Sequence, residues 1–275
     1  MISYKFKLYK SAKTKHLDAT LREACGVWNH ALALQKRYYR LYKKFIPKYT
    51  LAKHMTKVWQ RHYLGSQSMQ EITERLDKSY KRFFKHTSKR PPKFKKAKDF
   101  SSFVFKQCGY KFEGNKVTLS VGKEKYTFKF ALSREITGRI KTVTVKRSRL
   151  NEYYIIIVTD ATPNRYGKTH DGASVGIDFG LKTYLTLSNG SKLSNPQFLK
   201  SALNKVRKAS RKLSRCKNGS NHKEQARLAY CRLQERLANK RADFQWKLAH
   251  DLCKCRMLQA PFPHTISDNI IPPNL

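Results

Sequence analysis

The sequence predicts an α+β protein in which a helical domain is inserted into a small β-barrel, and a short sheet with a long helical hairpin follows. Three observations lead to this fold class. Residues 2–9 alternate between apolar and polar side chains, as a half-buried strand does. Residues 17–83 carry apolar side chains at helical spacing, and residues 100–159 return to a period of two. Because a lone strand is unstable, strand 2–9 must pair with the distant segment 100–159.

Composition points to a polyanionic partner. The 275 residues include 59 Lys+Arg against 18 Asp+Glu, a formal net charge of +41, while 40% hydrophobic content is enough for packed cores. So much positive charge opposes compaction, and nucleic acid is the partner that best neutralises it. A membrane-surface protein or a ribosome-associated protein are the alternatives. Neither a transmembrane run nor a signal peptide is recognisable, so a cytoplasmic, nucleoid-associated location is expected.

The cysteines do not form a metal-binding pattern. None of the six belongs to a C-x-x-C pair, and the C-x-C at 253–255 lacks a partner pair, so we expect reduced thiols and no zinc site. The six are Cys25, Cys108, Cys216, Cys231, Cys253 and Cys255.

Two helical runs make up the predicted insertion. The first ends at Pro47, and the second begins near Ser68, which forms a capping-box pattern with Glu71. Core packing explains the aromatic residues of these helices better than base stacking does, and an exposed tyrosine would be a candidate for stacking. The predicted buried stripes are Leu17, Leu21, Trp28, Leu32, Tyr39 and Tyr42, then Met69, Ile72, Leu76, Tyr80 and Phe83.

A basic segment follows the second helix. Residues 85–98 hold seven Lys or Arg in fourteen residues, plus Pro91 and Pro92, which indicates a linker. The alternatives are a solvated loop and a phosphate-binding segment, and the lack of a balancing acid favours phosphate contact. The predicted nucleic-acid-binding residues here are Lys89, Arg90, Lys93, Lys95 and Lys96.

A single acid, Asp178, lies in the predicted strand VGIDFG, ahead of a hairpin with its turn at Ser188–Gly190. Two helices follow, at 198–217 and about 222–256, and form a predicted antiparallel hairpin. The first carries no acid and supplies the predicted nucleic-acid-binding residues Lys205, Arg207, Lys208, Arg211 and Lys212. The second has the apolar stripe Ala229, Leu233, Leu237, Phe244, Leu248 and Leu252.

A strand-borne Asp followed by a hairpin and helices is how ribonuclease H-like sheets begin. In that fold the acid holds a divalent metal that activates a water molecule. One carboxylate is not enough, since two Mg²⁺ ions about 4 Å apart need several anionic ligands.

Several motifs in order resemble the TnpB/OrfB proteins of bacterial insertion sequences, which are related to type V CRISPR effector nucleases. The resemblance runs from residue 1 to about residue 255. Its pieces are YKFKLY at the start, LGSQSMQEITERLDKSYKRFFK at 64–85, KRPPKFK at 89–95, GIDFGLKTYLTLSNG at 176–190 and RADFQWKLAHDL at 241–252.

The resemblance implies three domains and an RNA-guided activity. It implies a wedge β-barrel (1–12 and 98–162), a helical recognition domain (13–97), a linker (163–173) and a RuvC-like nuclease domain (174–255). The implied partners are a guide RNA from the transposon end and a target DNA, which is cut by a carboxylate triad with Mg²⁺. Asp178 matches the first triad acid and Mg²⁺ ligand, and Lys182 is implied to contact backbone phosphate.

The last twenty residues depart from the family pattern. Residues 256–275 contain neither a Val-rich strand with a Glu nor a Cys-rich zinc ribbon, so a truncated chain with an incomplete RuvC-like domain and an incomplete Mg²⁺ site is expected. Asp268 lies in a Pro-flanked turn, and the long-helix acids are read as solvated or ion-paired with neighbouring Lys and Arg. These acids are Glu235, Asp243 and Asp251.

Three functions follow as hypotheses. The first is a truncated RNA-guided DNA endonuclease, and the second is a catalytically inactive RNA/DNA-binding remnant or nuclease-dead RNA-guided DNA binder. An actin-like ATPase is disfavoured because only 97 residues follow Asp178, without a Gly-rich phosphate loop. If no metal is held, Asp178 is expected to be a partly exposed carboxylate at a sheet edge, paired with a nearby Lys or Arg. Activity, guide, target motif and oligomeric state stay open.

Overall fold

The computed structural model describes residues 1–60, 62–162 and 176–253. These fall into two compact units, with the boundary at residues 163–164. Unit 1 is described here over residues 1–162 and unit 2 over residues 176–253. The predicted linker 163–173, the tail 256–275 and Asp268 lie outside the described residues.

Unit 1 combines three helices with seven strands. Its helices are α1 (Thr14–Tyr42), α2 (Lys48–Val58) and α3 (Ser66–Phe84). Its strands are β1 (Ile2–Lys7), β2 (Ser102–Phe105), β3 (Tyr110–Glu113), β4 (Lys116–Val121), β5 (Glu124–Lys129), β6 (Ile140–Arg147) and β7 (Tyr153–Thr159). Helix α2 and strand β3 are elements that the sequence patterns did not predict, because each is short and only weakly amphipathic.

The strands of unit 1 form two antiparallel sheets. One has the order β1-β7-β6-β2 and the other β3-β4-β5. Strand β1 pairs with β7 from Ile2↔Thr159 to Lys7↔Tyr154, so the predicted long-range pairing of the first strand is confirmed. The two sheets meet through a bridge between Leu8 and Phe130, and the described strands do not close into a barrel. The predicted barrel is therefore replaced by two open sheets joined at one corner.

One hydrophobic core joins both sheets to the helices. Strand β1 turns Tyr4 and Phe6 inward, and the Phe6 ring lies 5.3 Å from that of Phe130. From the helical side, Leu17 and Leu21 of α1 enter the same cluster. Apolar alternation in the strands and helical spacing in α1 and α3 thus meet in one packed layer.

Three details of the helices differ from the sequence patterns. Helix α1 ends at Tyr42, and Tyr39 and Tyr42 are exposed because the last turns of α1 extend beyond the packed core. Pro47 does not end α1 but precedes α2, a position that suits its fixed φ. Ser68 lies inside α3 and donates its hydroxyl to the carbonyl of Val104 at 2.7 Å, so the predicted capping box is wrong.

The carboxylate of Glu23 organises the connection between α2 and α3. Its oxygens accept hydrogen bonds from the Trp59 indole N–H at 3.2 Å and from the backbone N–H of His62, Tyr63 and Leu64 at 2.6–3.1 Å. Hydrogen bonds to a charged acceptor are stronger than neutral ones. One side chain of α1 therefore holds Trp59 and residues 62–64 in place.

A second polar network ties α1 to the four-stranded sheet. Asp18 of α1 accepts hydrogen bonds from Arg147 Nη1 at 2.8 Å and from the Tyr153 hydroxyl at 2.6 Å. Burial and the Asp18 carboxylate raise the pKa of Tyr153 well above its ordinary value. The hydroxyl consequently stays protonated and keeps donating across the physiological range.

Unit 2 is a small sheet and a helical hairpin. Its elements are β8 (Ile177–Asp178), β9 (Thr183–Leu187), β10 (Lys192–Ser194), α4 (Phe198–Arg215) and α5 (Asn221–Cys253). The predicted turn at Ser188–Gly190 joins β9 to β10, and Gly190 has a φ of +83° that suits glycine. Leu185, Leu187 and Leu193 of the sheet bury against Leu248 of α5. Of the predicted α5 stripe, Ala229 is exposed, and Ala226 is buried instead.

Candidate nucleic-acid interface

Asp178 lies on an edge strand. The sheet order is β10-β9-β8, and β8 pairs with β9 through Ile177↔Leu187 and Asp178↔Thr186. The start of β8 is fixed by Gly176, which donates its N–H to Ser188 Oγ at 3.1 Å and accepts the Ser188 N–H at 2.9 Å. After the strand, a Cβ at Gly180 would stand 2.7 Å from the Thr183 carbonyl oxygen, so the tight turn requires glycine.

The surroundings of Asp178 are apolar and exposed. Phe179 is 68% exposed and Leu181 is 92% exposed. The Asp178 side chain is itself exposed, and in the described part of the chain it forms no ion pair with Lys182 or any other residue. The pairing expected from the sequence is therefore not seen among these residues. A carboxylate in this position is fully available to a ligand from outside the sheet.

The described residues do not complete a metal centre around Asp178. Two Mg²⁺ ions need several oxygen ligands, and within residues 1–60, 62–162 and 176–253 no three His, Cys, Asp or Glu side chains come together. Two acids of the long helix α5 have partners of their own. Asp243 pairs with Lys247 at 2.9 Å, and Oδ1 of Asp251 lies 3.7 Å from Nδ1 of His250. Among the residues that the structure describes, one carboxylate lies at this edge, and that alone does not fit a two-metal site.

Helix α4 presents the most concentrated positive charge in unit 2. It carries seven Lys or Arg and no acid in eighteen residues, and all seven are exposed. They extend over about 23 Å of helix, from Lys200 to Arg215. Within the described residues none of them forms an ion pair with a carboxylate. The seven, which include the predicted residues of this helix, are Lys200, Lys205, Arg207, Lys208, Arg211, Lys212 and Arg215.

The apolar side of α4 explains why its charges face solvent. Phe198 packs against Phe244 of α5, with the ring centroids 5.6 Å apart, and no residue of α4 is fully buried. A cavity of about 580 Å³ opens beside this contact and is lined by Tyr184 and Lys200 among others. Because only one narrow stripe of α4 is packed, the rest of the helix is free to contact a polyanion.

The basic segment after α3 is held against α1 by its backbone. The Trp28 indole N–H donates to the Lys93 carbonyl at 3.1 Å, and the Asn29 side chain exchanges two hydrogen bonds with the backbone of Lys95, at 2.8 and 2.9 Å. Lys89, Arg90, Lys93 and Lys96 are exposed. The segment is thus an ordered basic strip along α1, and its linker-like composition did not indicate these contacts.

Lys95 differs from its neighbours. Its ammonium lies 4.0 Å from the centroid of the Trp28 ring and 5.2 Å from that of Phe100. Burial, with a smaller contribution from Arg75, lowers the pKa of this lysine. The ammonium of Lys95 forms cation–π contacts with aromatic rings inside unit 1. Its position is therefore that of a structural cation.

Sequence comparisons show similarity to known proteins over the range that contains these features. A family model for OrfB proteins of the IS605 kind, described as "Probable transposase", matches residues 157–258. That range includes Asp178 and all of α4. A protein of Streptomyces pristinaespiralis, "Putative RNA-guided DNA endonuclease", is 27% identical over 191 residues, which cover 70% of this chain and 47% of that protein. Over residues 157–258 the chain is therefore similar to OrfB-type proteins described as probable transposases.

A second relative extends the similarity to nearly the full length of this chain. "Putative RNA-guided DNA endonuclease InsQ" of Escherichia coli strain K12 is 28% identical over 260 residues, which cover 92% of this chain and 63% of that protein. The chain therefore spans about half to slightly under two thirds of the length of these two relatives. The match covers unit 1 as well as unit 2.

A solved structure shows a weaker likeness to this chain. "Cryo-EM structure of the Cas12f1-sgRNA-target DNA complex" aligns with 90% of this chain and 70% of that chain, at 13% identity and a TM-score of 0.37. A TM-score this low does not establish a shared fold. The mixed helix and sheet architecture rests on the chain's own elements.

Two further sequence expectations concern thiols and membranes. Cys25, Cys108, Cys216 and Cys231 are free thiols. Cys255 lies outside the described residues. Even the longest described helices, α1 and α5, lack an apolar stretch that could cross a bilayer.

The sequence patterns underestimated how far some aromatic side chains of this protein are exposed. Tyr39 and Tyr42 were assigned to a buried stripe, yet they are 45% and 60% exposed, and Phe84 at the end of α3 is 52% exposed. The available signal was their position in the last turn of each helix, beside runs of Lys and Arg.

Proposed function

We propose that this chain is a transposon-encoded, RNA-guided DNA endonuclease of the kind named for its two relatives. The observation that carries the proposal is helix α4, with seven exposed Lys or Arg, no acid and no described ion pair, inside the range that matches the family model. When unpaired cations of a protein neutralise phosphates, the counterions held by the nucleic acid are released, and this release is the main source of nucleic-acid affinity. The net charge of +41 supports the same partner.

The proposed domains follow the family resemblance. Residues 1–12 and 98–162 are proposed as the wedge domain, residues 13–97 as the recognition domain, and residues 174–255 as the RuvC-like domain. The pairing of β1 with β7 supports the first division, since it returns the chain to its first strand after the helical insertion. The proposed partners are a guide RNA from the transposon end and a target DNA.

Asp178 is proposed as the first catalytic acid and a Mg²⁺ ligand. Asp178 lies on a short strand whose two ends are held in place. Its carboxylate is exposed, and no described side chain pairs with it. Mg²⁺, when bound, would supply an activated water molecule and stabilise the leaving oxygen. Since the described residues contribute only this one acid, we assign it ligand binding and assign Lys182 contact with a backbone phosphate.

The binding part is tested by filter binding of transposon-end RNA across a salt series. The variant Lys205→Ala/Lys208→Ala/Lys212→Ala removes one stripe of α4 and is expected to reduce the slope of log K against log salt by about 2. The matched control is Lys95→Met, whose charge faces aromatic rings, and its slope should stay unchanged. Equal affinity of the wild type for unrelated RNA of the same length would contradict guide recognition.

The cutting part is tested with guide RNA, target DNA and Mg²⁺. Asp178→Ala should abolish any cleavage, whereas Asp243→Ala, which removes an acid already paired with Lys247, should leave it unchanged. Cleavage that survives Asp178→Ala would overturn the assignment of this residue. Guide-dependent binding with no cleavage by the wild type would instead identify the chain as an RNA-guided DNA binder.

A further inference from the structure

A cavity in unit 1, far in sequence from Asp178, is built from aromatic side chains. It has a volume of about 240 Å³ and lies among α1, α2 and α3. Phe45, Tyr80 and Phe84 form its walls, with ring centroids 5.1 Å apart for Phe45–Tyr80 and 5.2 Å for Phe45–Phe84. The Phe45 and Phe84 rings are inclined by 72° and meet edge to face, so together they form one wall of the opening, which is here called the slot, and Phe84 is 52% exposed.

The cavity is held open by a buried amide. Gln35 of α1 is 6% exposed, and its side chain donates to the Ile46 carbonyl at 3.2 Å and accepts the Ile46 N–H at 3.1 Å. Lys43, with a φ of +55°, ends α1 just before this loop. Because its backbone is fixed on both sides, the loop holds Phe45 in place, and the slot exists before any ligand arrives.

Polar groups line the floor and rim of the slot. Only 8% of the Tyr80 surface is exposed, and its hydroxyl forms no hydrogen bond with the described residues. Burial raises the pKa of Tyr80, which keeps the hydroxyl a donor. Asp77 also lines the slot, and its Oδ2 pairs with Lys81 at 2.9 Å, leaving Oδ1 as an acceptor. An aromatic slot thus ends in one unpartnered donor and one acceptor.

The charge around the slot is strongly positive. Residues 35–48 carry six Lys or Arg and no acid, and residues 76–88 carry four Lys or Arg and one acid, Asp77. Tyr39, which is 45% exposed, lies 4.7 Å from Phe45, so a further aromatic face adjoins the slot. An apolar peptide would gain nothing from these charges, whereas a phosphate backbone would pair with them.

We infer that this slot receives one unstacked base of a single-stranded nucleic acid, stacked on the exposed Phe84 ring, with the Tyr80 hydroxyl donating to the base and the flanking Lys and Arg binding its phosphates. A duplex keeps its base faces stacked and cannot present one to the slot. The inference rests on the proposal that the chain binds nucleic acid, but it concerns unit 1 and is independent of Asp178 and α4.

The experiment uses the full chain and 12-nucleotide RNA and DNA oligonucleotides that carry 2-aminopurine, whose fluorescence falls when the base stacks. Phe84→Ala should weaken binding of the single strands about tenfold, in line with the value of one stacked base, and should abolish the fluorescence change. Tyr80→Phe keeps the ring and should weaken binding about threefold. Comparison of the RNA and DNA arms identifies which strand the slot prefers.

Two controls make the result decisive. Tyr49→Ala removes an aromatic that is 78% exposed on α2 but does not line the slot, and it should bind like the wild type. Oligonucleotides of abasic residues should bind the wild type and Phe84→Ala equally. Circular dichroism and thermal melting establish that each variant is folded.

The outcomes separate the two proposals. Single-strand binding that is unchanged in both Phe84→Ala and Tyr80→Phe overturns the base slot and leaves the proposed function standing. An equal loss for duplex and single strand also overturns it, since the site would then read charge alone. If the wild type binds neither strand at low salt, the proposed function fails together with this inference.

Discussion

The two units of the chain differ in how completely their apolar residues are covered. In unit 1 the inward residues of two sheets and three helices share one core that includes fully buried Phe6, Phe100, Phe103 and Phe130. In unit 2 the described sheet has one covering helix, and its cluster contains four buried residues, Leu185, Leu187, Leu193 and Leu248. The same alternating patterns therefore give a thick core in one unit and a thin one in the other.

The difference lies in packing and not in whether apolar residues remain at the surface. Unit 2 exposes Ile177, Phe179, Leu181, Leu199 and Trp246 to 45–92% over its described residues, and unit 1 likewise exposes large apolar side chains such as Leu41 and Phe94. In unit 1, however, every inward residue of β1 meets a second layer. A hydrophobic pattern identifies which side chains can be buried, but burial itself requires a second surface at that position.

The core of unit 1 should respond most strongly to truncation. Phe6→Ala removes a ring that is 1% exposed and contacts Phe130, and we expect the free energy of unfolding to fall by about 3–5 kcal/mol. Urea denaturation followed by the fluorescence of Trp28 and Trp59, in a Trp246→Phe background, measures it. A loss below about 1 kcal/mol would mean that this core is far looser than its burial indicates.

Polar contacts offer the second test of the comparison. Glu23→Gln places an amide opposite four N–H donors, so a loss of about 2–3 kcal/mol is expected in the same denaturation. Asp243→Asn in unit 2 breaks only an exposed i,i+4 ion pair and should cost less than about 0.5 kcal/mol. Equal effects would remove the contrast between the units.

The third test uses alkaline pH. Tyr153→Phe removes the hydrogen bond to Asp18 and should cost about 1–1.5 kcal/mol at pH 7. Because the pKa of Tyr153 is raised in the folded state, the unfolded state ionises first, and the wild type loses this advantage as pH rises above about 10. The difference in the free energy of unfolding between the wild type and Tyr153→Phe should therefore narrow by about 1.4 kcal/mol by pH 11. Stability curves of both proteins between pH 7 and pH 11 check the sign, and a widening gap would contradict it.

The smallest effect is expected at an exposed residue of unit 2. Trp246 is 77% exposed, so Trp246→Ser should change the free energy of unfolding by less than about 0.5 kcal/mol. The measurement is thermal unfolding by circular dichroism. A loss above about 1 kcal/mol would show that this face is covered in solution, and the thin core of unit 2 would then be only apparent.

The sequence was sufficient to predict the strands and the long helices, but it did not predict whether the sheets close into a barrel. Strand β1 and helices α1, α3 and α5 follow periodicities that any buried face imposes, and the pairing of β1 with β7 follows from the need of a lone strand for a partner. The predicted barrel failed because sheet closure depends on twist and on the edges of β2 and β5, which no residue pattern records.

The candidate site shows the same limit. The motif GIDFG located Asp178, but the two-residue length of β8 and the exposure of Phe179 depend on which elements lie beside it. Lys95 was predicted with its basic neighbours, and its place over the Trp28 ring arises from a tertiary contact 67 residues away in sequence. Composition detects a basic run, whereas the role of each cation depends on what it faces.

The pairing of β1 with β7 also has a consequence for synthesis on the ribosome. Residues 2–7 emerge before their partner residues 154–159, which follow about 150 residues later. At about 5–20 residues per second, the first strand waits on the order of ten seconds or more without its neighbour. Helices α1–α3 can form locally in that interval, so the sheet is expected to close around a helical insertion that is already folded.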